Sequence, residues 1–206
     1  CLLSIGMSVK LGIPKEFVYE IAMGAVFHDV GKMFIPRELV NKVNPTDKEK
    51  REIREHATLG FRLFQQHGYG INTTYAIWFH HEREDGSGYP HGVSDKKIPL
   101  PAKIVSLASS YDNMVNYNPF HTDPLTQKDA LEQIYADDKF NKKCVIALNK
   151  FVVPYPIGTK VQLSNGKEGL VIKNKPGSPL RPLILCGRAE VLNLAEDSNL
   201  LNVVIV

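Results

Sequence analysis

Phe79-His80-His81-Glu82-Arg83-Glu84-Asp85-Gly86-Ser87-Gly88-Tyr89-Pro90-His91-Gly92 is the stretch around which the rest of the 206-residue chain is organised. Two adjacent histidines close an apolar helix, and a loop punctuated by Gly86, Gly88, Pro90 and Gly92 follows at once. Neighbouring helical residues project about 100° apart, so His80 and His81 can touch two points of one site, such as two metal ions. Glycine tolerates conformations that other residues avoid, which lets such a loop bring its backbone close to a ligand. The pair alone is also compatible with a helix end that is simply polar. A second cluster upstream, His28-Asp29, changes that balance.

Leu2 to Leu11 reads as the tail of a helix ended by Gly12, and Pro14 suits the first turn of the next. Phe17, Ile21, Ala25 and His28 then recur at helical spacing, as do Val18, Ala22, Val26 and Asp29, until Gly31. A lone histidine on an apolar face is more often a core residue than a ligand, but a carboxylate beside it is rarely buried unpaired. Lys32 is either a cation of that site or a charge answering the helix dipole. Thr46 and Glu49 form a capping box for a helix whose stripe is Ile53, His56, Ala57, Gly60, Phe61 and Phe64, ended by Gly68. His56 lies on this stripe and away from the charged face of Lys48, Arg51, Glu52 and Arg54, so core residue and ligand both remain open. Further helices are predicted over Ile71 to His81, Leu100 to Met114, from Thr126-Asp129 onward, and over Asn141 to Phe151.

The composition changes at the proline-bearing stretch Val152 to Ile157. Beyond it, Thr159 to Leu163 and Gly169 to Lys173 flank Asn165-Gly166, a hairpin signal, and Pro182 to Cys186, Glu190 to Leu194 and Leu201 to Val206 read as three more strands. Five strands in so short a segment suggest a small barrel or curled sheet. The expected organisation is a helical domain over residues 1–151 and a small β subdomain over 158–206.

The formal charge of +3 is too small to argue for duplex nucleic acid, although a local positive site for a phosphorylated small molecule is compatible with it. Three scattered cysteines, Cys1, Cys144 and Cys186, make neither a disulfide frame nor a zinc ribbon and point to reduced thiols in the cytoplasm. No apolar run is long enough for a membrane span. The chain opens on Cys1 inside an apolar pattern, as expected of a piece of a longer protein.

Imidazole and carboxylate together suit first-row transition metals, and His28, Asp29, His56, His80 and His81 exceed the needs of one tetrahedral ion. Two ions bridged by Asp29 are the natural arrangement, able to make hydroxide near neutral pH and polarise a phosphoryl group. Lys32 would neutralise a phosphate oxygen. His67, His91 and His121 read as surface residues. Tyr89 offers a ring to stack on a base, and its flanking glycines suggest a loop that can move.

His28-Asp29-Val30-Gly31-Lys32 and His80-His81-Glu82-Arg83-Glu84-Asp85-Gly86-Ser87-Gly88-Tyr89-Pro90 resemble the HD-GYP family of bacterial cyclic di-GMP phosphodiesterases, over roughly Cys1 to Phe151. The resemblance implies a mainly α chain, an HD-type helical bundle followed by a small C-terminal β-barrel-like subdomain. It implies a phosphodiesterase that opens a cyclic dinucleotide at two or more divalent iron, manganese or zinc ions held by His28, Asp29, His56, His80 and His81. Asp29 and Lys32 would be catalytic, and Lys32, Gly88, Tyr89, Pro90 and the position of Asn118 would meet substrate. The Gly88-Tyr89-Pro90 loop would also contact a signalling partner, a sensory or regulatory domain would lie upstream, and oligomers are compatible. Two positions depart from the family pattern. Ser109 stands where the family has an aspartate ligand, with Asp112 one turn further on, and Asn118 stands where it has an arginine. These departures leave a second expectation, a degenerate domain that binds nucleotide or partner without efficient turnover.

Overall fold

The computed structural model describes residues 1–117, 123–187 and 189–206. It separates into two compact units, Cys1–Val145 and Ile146–Val206. The first unit is helical. α1 (Leu2–Lys10) leads through Gly12, whose φ of +72° reverses the chain, to α2 (Lys15–Phe27) behind Pro14. His28 closes α2, and a 3-10 turn over Val30–Phe34 follows. α3 (Arg37–Val40) and α4 (Asp47–Arg54) come next. The Thr46–Glu49 capping box is formed in both directions: the Glu49 N–H donates to the Thr46 hydroxyl, and the Thr46 N–H to the Glu49 carboxylate at 2.7 Å. α5 (His56–Gln66), α6 (Ile71–Phe79), α7 (Leu100–Val115), α8 (Gln127–Ala136) and the start of α9 (Lys142–Asn149) complete the unit.

α6 is the hub: it packs on α2, α5 and α7, and its Ala76 and Ile77 are fully buried. Close approach is set by small residues. A Cβ on Gly24 of α2 would meet Ala76 at 2.5 Å. A Cβ on Gly31 would run into the His56 carbonyl oxygen and lie 2.7 Å from the Gly60 nitrogen, so the turn carrying Asp29 is pressed against the start of α5. The expected single helix from Thr46 to Gly68 is instead two, interrupted at Glu55. At the break the His56 ring bonds the Ile53 carbonyl at 2.7 Å.

The second unit is built on an antiparallel sheet in the order β1 (Lys160–Gln162), β2 (Glu168–Lys173), β3 (Leu183–Cys186), β4 (Glu190–Asn193). Asn165-Gly166 makes the predicted hairpin turn, with Gly166 at φ +80°. Val161, Leu163, Val171, Ile184, Cys186, Leu192, Leu194 and Ile205 form its core. The sheet is open, which corrects the expected barrel. Leu201 to Val206 makes no strand. It contributes one bridge, Leu163 to Ile205, and a 3-10 turn over Ser198–Leu200 precedes it.

Candidate metal centre

The end of α2, the start of α5 and the end of α6 meet, and they bring the predicted ligands together. Oδ1 of Asp29 lies 3.3 Å from His56 Nε2 and 3.8 Å from His80 Nε2. Its Oδ2 lies 3.3 Å from His28 Nε2 and 2.7 Å from Lys32 Nζ. One carboxylate thus shows one oxygen to the buried pair and the other to the rim. His56 and His80 are each 1 % exposed, with their Nε2 atoms 3.5 Å apart. Ligand atoms of Asp29, His56, His80 and His81 all fall within 4.8 Å of one another. His28 stands beside this group, its ring edge-on to His80 at 5.0 Å.

Three of the histidines are held the same way. Nδ1–H of His28, His56 and His80 donates to the carbonyl three residues earlier, that of Ala25, Ile53 and Ile77, at 2.9, 2.7 and 2.7 Å. A carbonyl only accepts, so in each neutral ring the proton sits on Nδ1 and the Nε2 lone pair faces the cluster. The Nε2 of His81 is buried without a hydrogen-bond partner among the described residues. A buried imidazole nitrogen without a partner, on a ring grouped with a carboxylate and two other imidazoles, suits a transition-metal ligand. The donor set fits such an ion.

The electrostatics agree. Burial, aided by neighbouring histidines, holds His80 and His81 well below the ordinary imidazole range, so they remain neutral donors. Burial works against the Asp29 carboxylate, but its contacts with the His28 and His56 rings and the nearby charge of Lys32 outweigh it and keep Asp29 ionised. Burial likewise opposes charge on His28, yet its bond to Asp29 raises that ring above its usual value.

Tyr89 stacks on His81, and the Tyr89–Pro90 peptide is cis. A Cβ on Gly88 would strike the His81 carbonyl oxygen and approach Glu82 Cα at 2.5 Å, so the loop is seated on the end of α6. Asn118 lies outside the described residues, as does His121. Ser109 is half-buried on α7, and Asp112 is exposed, bonded to the Asn116 amide at 2.9 Å. His67 is exposed and bonds only its own helix, while His91, also exposed, sits edge-on to Trp78 at 4.7 Å.

Three further residues carry the site without having stood out in the sequence. Glu82, 2 % exposed, accepts the backbone N–H groups of His91 and Val93 at 2.7 and 3.1 Å. Arg83 donates to the His80 carbonyl at 3.3 Å and to the Ser106 hydroxyl at 2.6 Å, tying the histidine pair to α7. Arg54 lies over the Tyr89 ring.

A family model described as "HD domain" matches residues 3–141. The chain belongs to the HD-domain family. A cyclic di-GMP phosphodiesterase of Pseudomonas aeruginosa is 29 % identical over 186 residues, covering 89 % of this chain and 45 % of that protein. A cyclic di-GMP phosphodiesterase of Thermotoga maritima is 36 % identical over 135 residues, covering 64 % of this chain and 36 % of that protein. Among solved structures, Bd1817 of Bdellovibrio bacteriovorus, described as an HDG"Y"P protein, aligns with a TM-score of 0.57 at 25 % identity, covering 71 % of this chain and 48 % of that one. The HD-GYP resemblance carried by the motifs agrees with these matches. The chain spans less than half the length of these curated proteins. Among the described residues, no helix is long and apolar enough to cross a membrane.

Proposed function

We propose that this chain is the metal-dependent phosphodiesterase portion of a signalling protein and that it hydrolyses a cyclic dinucleotide, cyclic di-GMP. The observation that carries the reading is the convergence of Asp29, His56, His80 and His81, whose ligand atoms lie within 4.8 Å of one another. Together with His28 these residues would hold two or more divalent iron, manganese or zinc ions. Such ions supply hydroxide near neutral pH and polarise a phosphoryl oxygen.

The chain's own residues do the rest. Asp29, with one oxygen toward His56 and His80 and the other toward His28, would hold ions through either oxygen. The backbone carbonyls of Ala25, Ile53 and Ile77 fix three imidazoles in the metal-binding tautomer before any ligand arrives. Lys32, held 2.7 Å from Asp29 at the rim, is a compact charge suited to a phosphate oxygen. Glu82 and Arg83 lock the histidine pair to its loop and to α7, so the ligands keep their places as charge moves.

The test is incubation of the manganese- or iron-loaded chain with cyclic di-GMP, products being separated by chromatography. Linear dinucleotide or mononucleotide should accumulate, and a chelator should stop it. No product with metal bound, or turnover indifferent to chelator, would refute the reading.

A further inference from the structure

The rim of the cluster carries a cation that no carboxylate claims. Arg54 ends α4, two residues before the buried His56, so its backbone is fixed beside the site. Its side chain is exposed, yet its guanidinium carbon stands 5.0 Å from the centre of the Tyr89 ring. Lys32, by contrast, is tied to Asp29. Among the described residues no ion pair engages Arg54, although Glu52 and Glu55 lie close in sequence. A cation over a phenol ring is held by the ring's negative face, and its planar fork of N–H donors keeps an edge for an anion. Tyr89 in turn rests on His81. Arg54 is thus connected to the cluster through one ring, with its charge unspent.

A cyclic dinucleotide carries two phosphodiesters, and the cluster with Lys32 accounts for only one of them. We propose that Arg54 binds the second, uncleaved phosphodiester of the substrate, holding the ring while the first is cut. This rests on the phosphodiesterase reading above. An arginine suits the task because its fork matches two oxygens of one phosphate, where a lysine offers a single point. Arg54 is then a substrate-binding residue, and the selectivity of the site for a two-phosphate ring over a simple phosphodiester is set at this position. The rival explanation, that Arg54 merely props Tyr89 against His81, makes the opposite prediction about small substrates.

The experiment compares Arg54→Gln and Arg54→Lys with the parent, all metal-loaded, on cyclic di-GMP and on bis(p-nitrophenyl) phosphate, which has one phosphodiester. Calorimetric affinity for cyclic di-GMP is read in parallel. Arg54→Gln should raise the KM and the dissociation constant for cyclic di-GMP about 10- to 100-fold, the range of a lost charge-assisted bond, with little change in kcat. Its kcat/KM on the small phosphodiester should fall far less, and Arg54→Lys should recover part of the affinity. Equal losses on both substrates would overturn the proposal in favour of a structural prop, and no loss on either would overturn it in favour of a solvated surface charge. A parent chain that cleaves the small phosphodiester but neither binds nor cleaves cyclic di-GMP would refute the functional reading itself, and this inference with it.

Discussion

The ring of Tyr89 lies nearly flat against that of His81, with centroids 4.4 Å apart and planes 19° from parallel. The Tyr89 N–H also reaches the His81 carbonyl at 3.3 Å. In the sequence Tyr89 reads as a platform for a base; in the structure it braces a proposed metal ligand, and Arg54 stands over it. Tyr89→Ala should therefore weaken metal binding by about tenfold or more, the usual cost of losing an outer support, whereas Tyr89→Phe should keep it. Metal affinity by chelator competition decides this. Equal affinity in the parent and Tyr89→Ala would show that the stack does not orient His81.

Glu82 closes the same loop from below. Its buried carboxylate holds the His91 and Val93 N–H groups, and truncation would leave both without an acceptor. Glu82→Ala should cost about 2–4 kcal/mol of unfolding free energy, from two abandoned bonds to a charged acceptor. It should also expose residues 86–93 to protease before the rest of the chain. Urea denaturation that leaves the midpoint unchanged would argue against the latch.

What was legible in the sequence is what is local. Thr46 and Glu49 announce α4 because both halves of the capping box lie within one turn, and Asn165-Gly166 announces the β1–β2 hairpin because the turn itself demands them. The clustering of these side chains was legible because His28-Asp29 and His80-His81 each arrive at a helix end. The break at Glu55 was not: it coincides with the His56 ring bonding the Ile53 carbonyl, a contact the sequence does not announce. Nor were the roles of Glu82, Arg83 and Arg54, because a charged residue in a polar stretch looks solvated until its partners are in place. The β-branched run in Leu201 to Val206 imitates a strand, but among the described residues only Ile205 finds a bridge partner.

Ser109 is the departure with a direct test. It is half-buried on α7, while Asp112 faces solvent and is engaged by Asn116. A serine hydroxyl is a weak ligand for a dication, so if this position meets the metals, as the family resemblance implies, the site would lack the charge that an aspartate would bring. Ser109→Asp should raise metal occupancy and speed turnover of cyclic di-GMP at saturating metal, and adding Asn118→Arg should speed it again. A Ser109→Asp chain that binds no more metal and turns over no faster would show that this position does not limit the site.

The central claim, that Asp29 and the facing histidines form a transition-metal centre, is tested most directly by elemental analysis of the chain purified without chelator. Parent protein and Asp29→Ala should be compared after reconstitution with iron or manganese and removal of free ion. The parent should retain metal in at least stoichiometric amount, and Asp29→Ala should lose most of it, because the one carboxylate that faces both sides of the cluster is gone. Equal metal content in the two folded proteins, or none in the parent, would contradict the account.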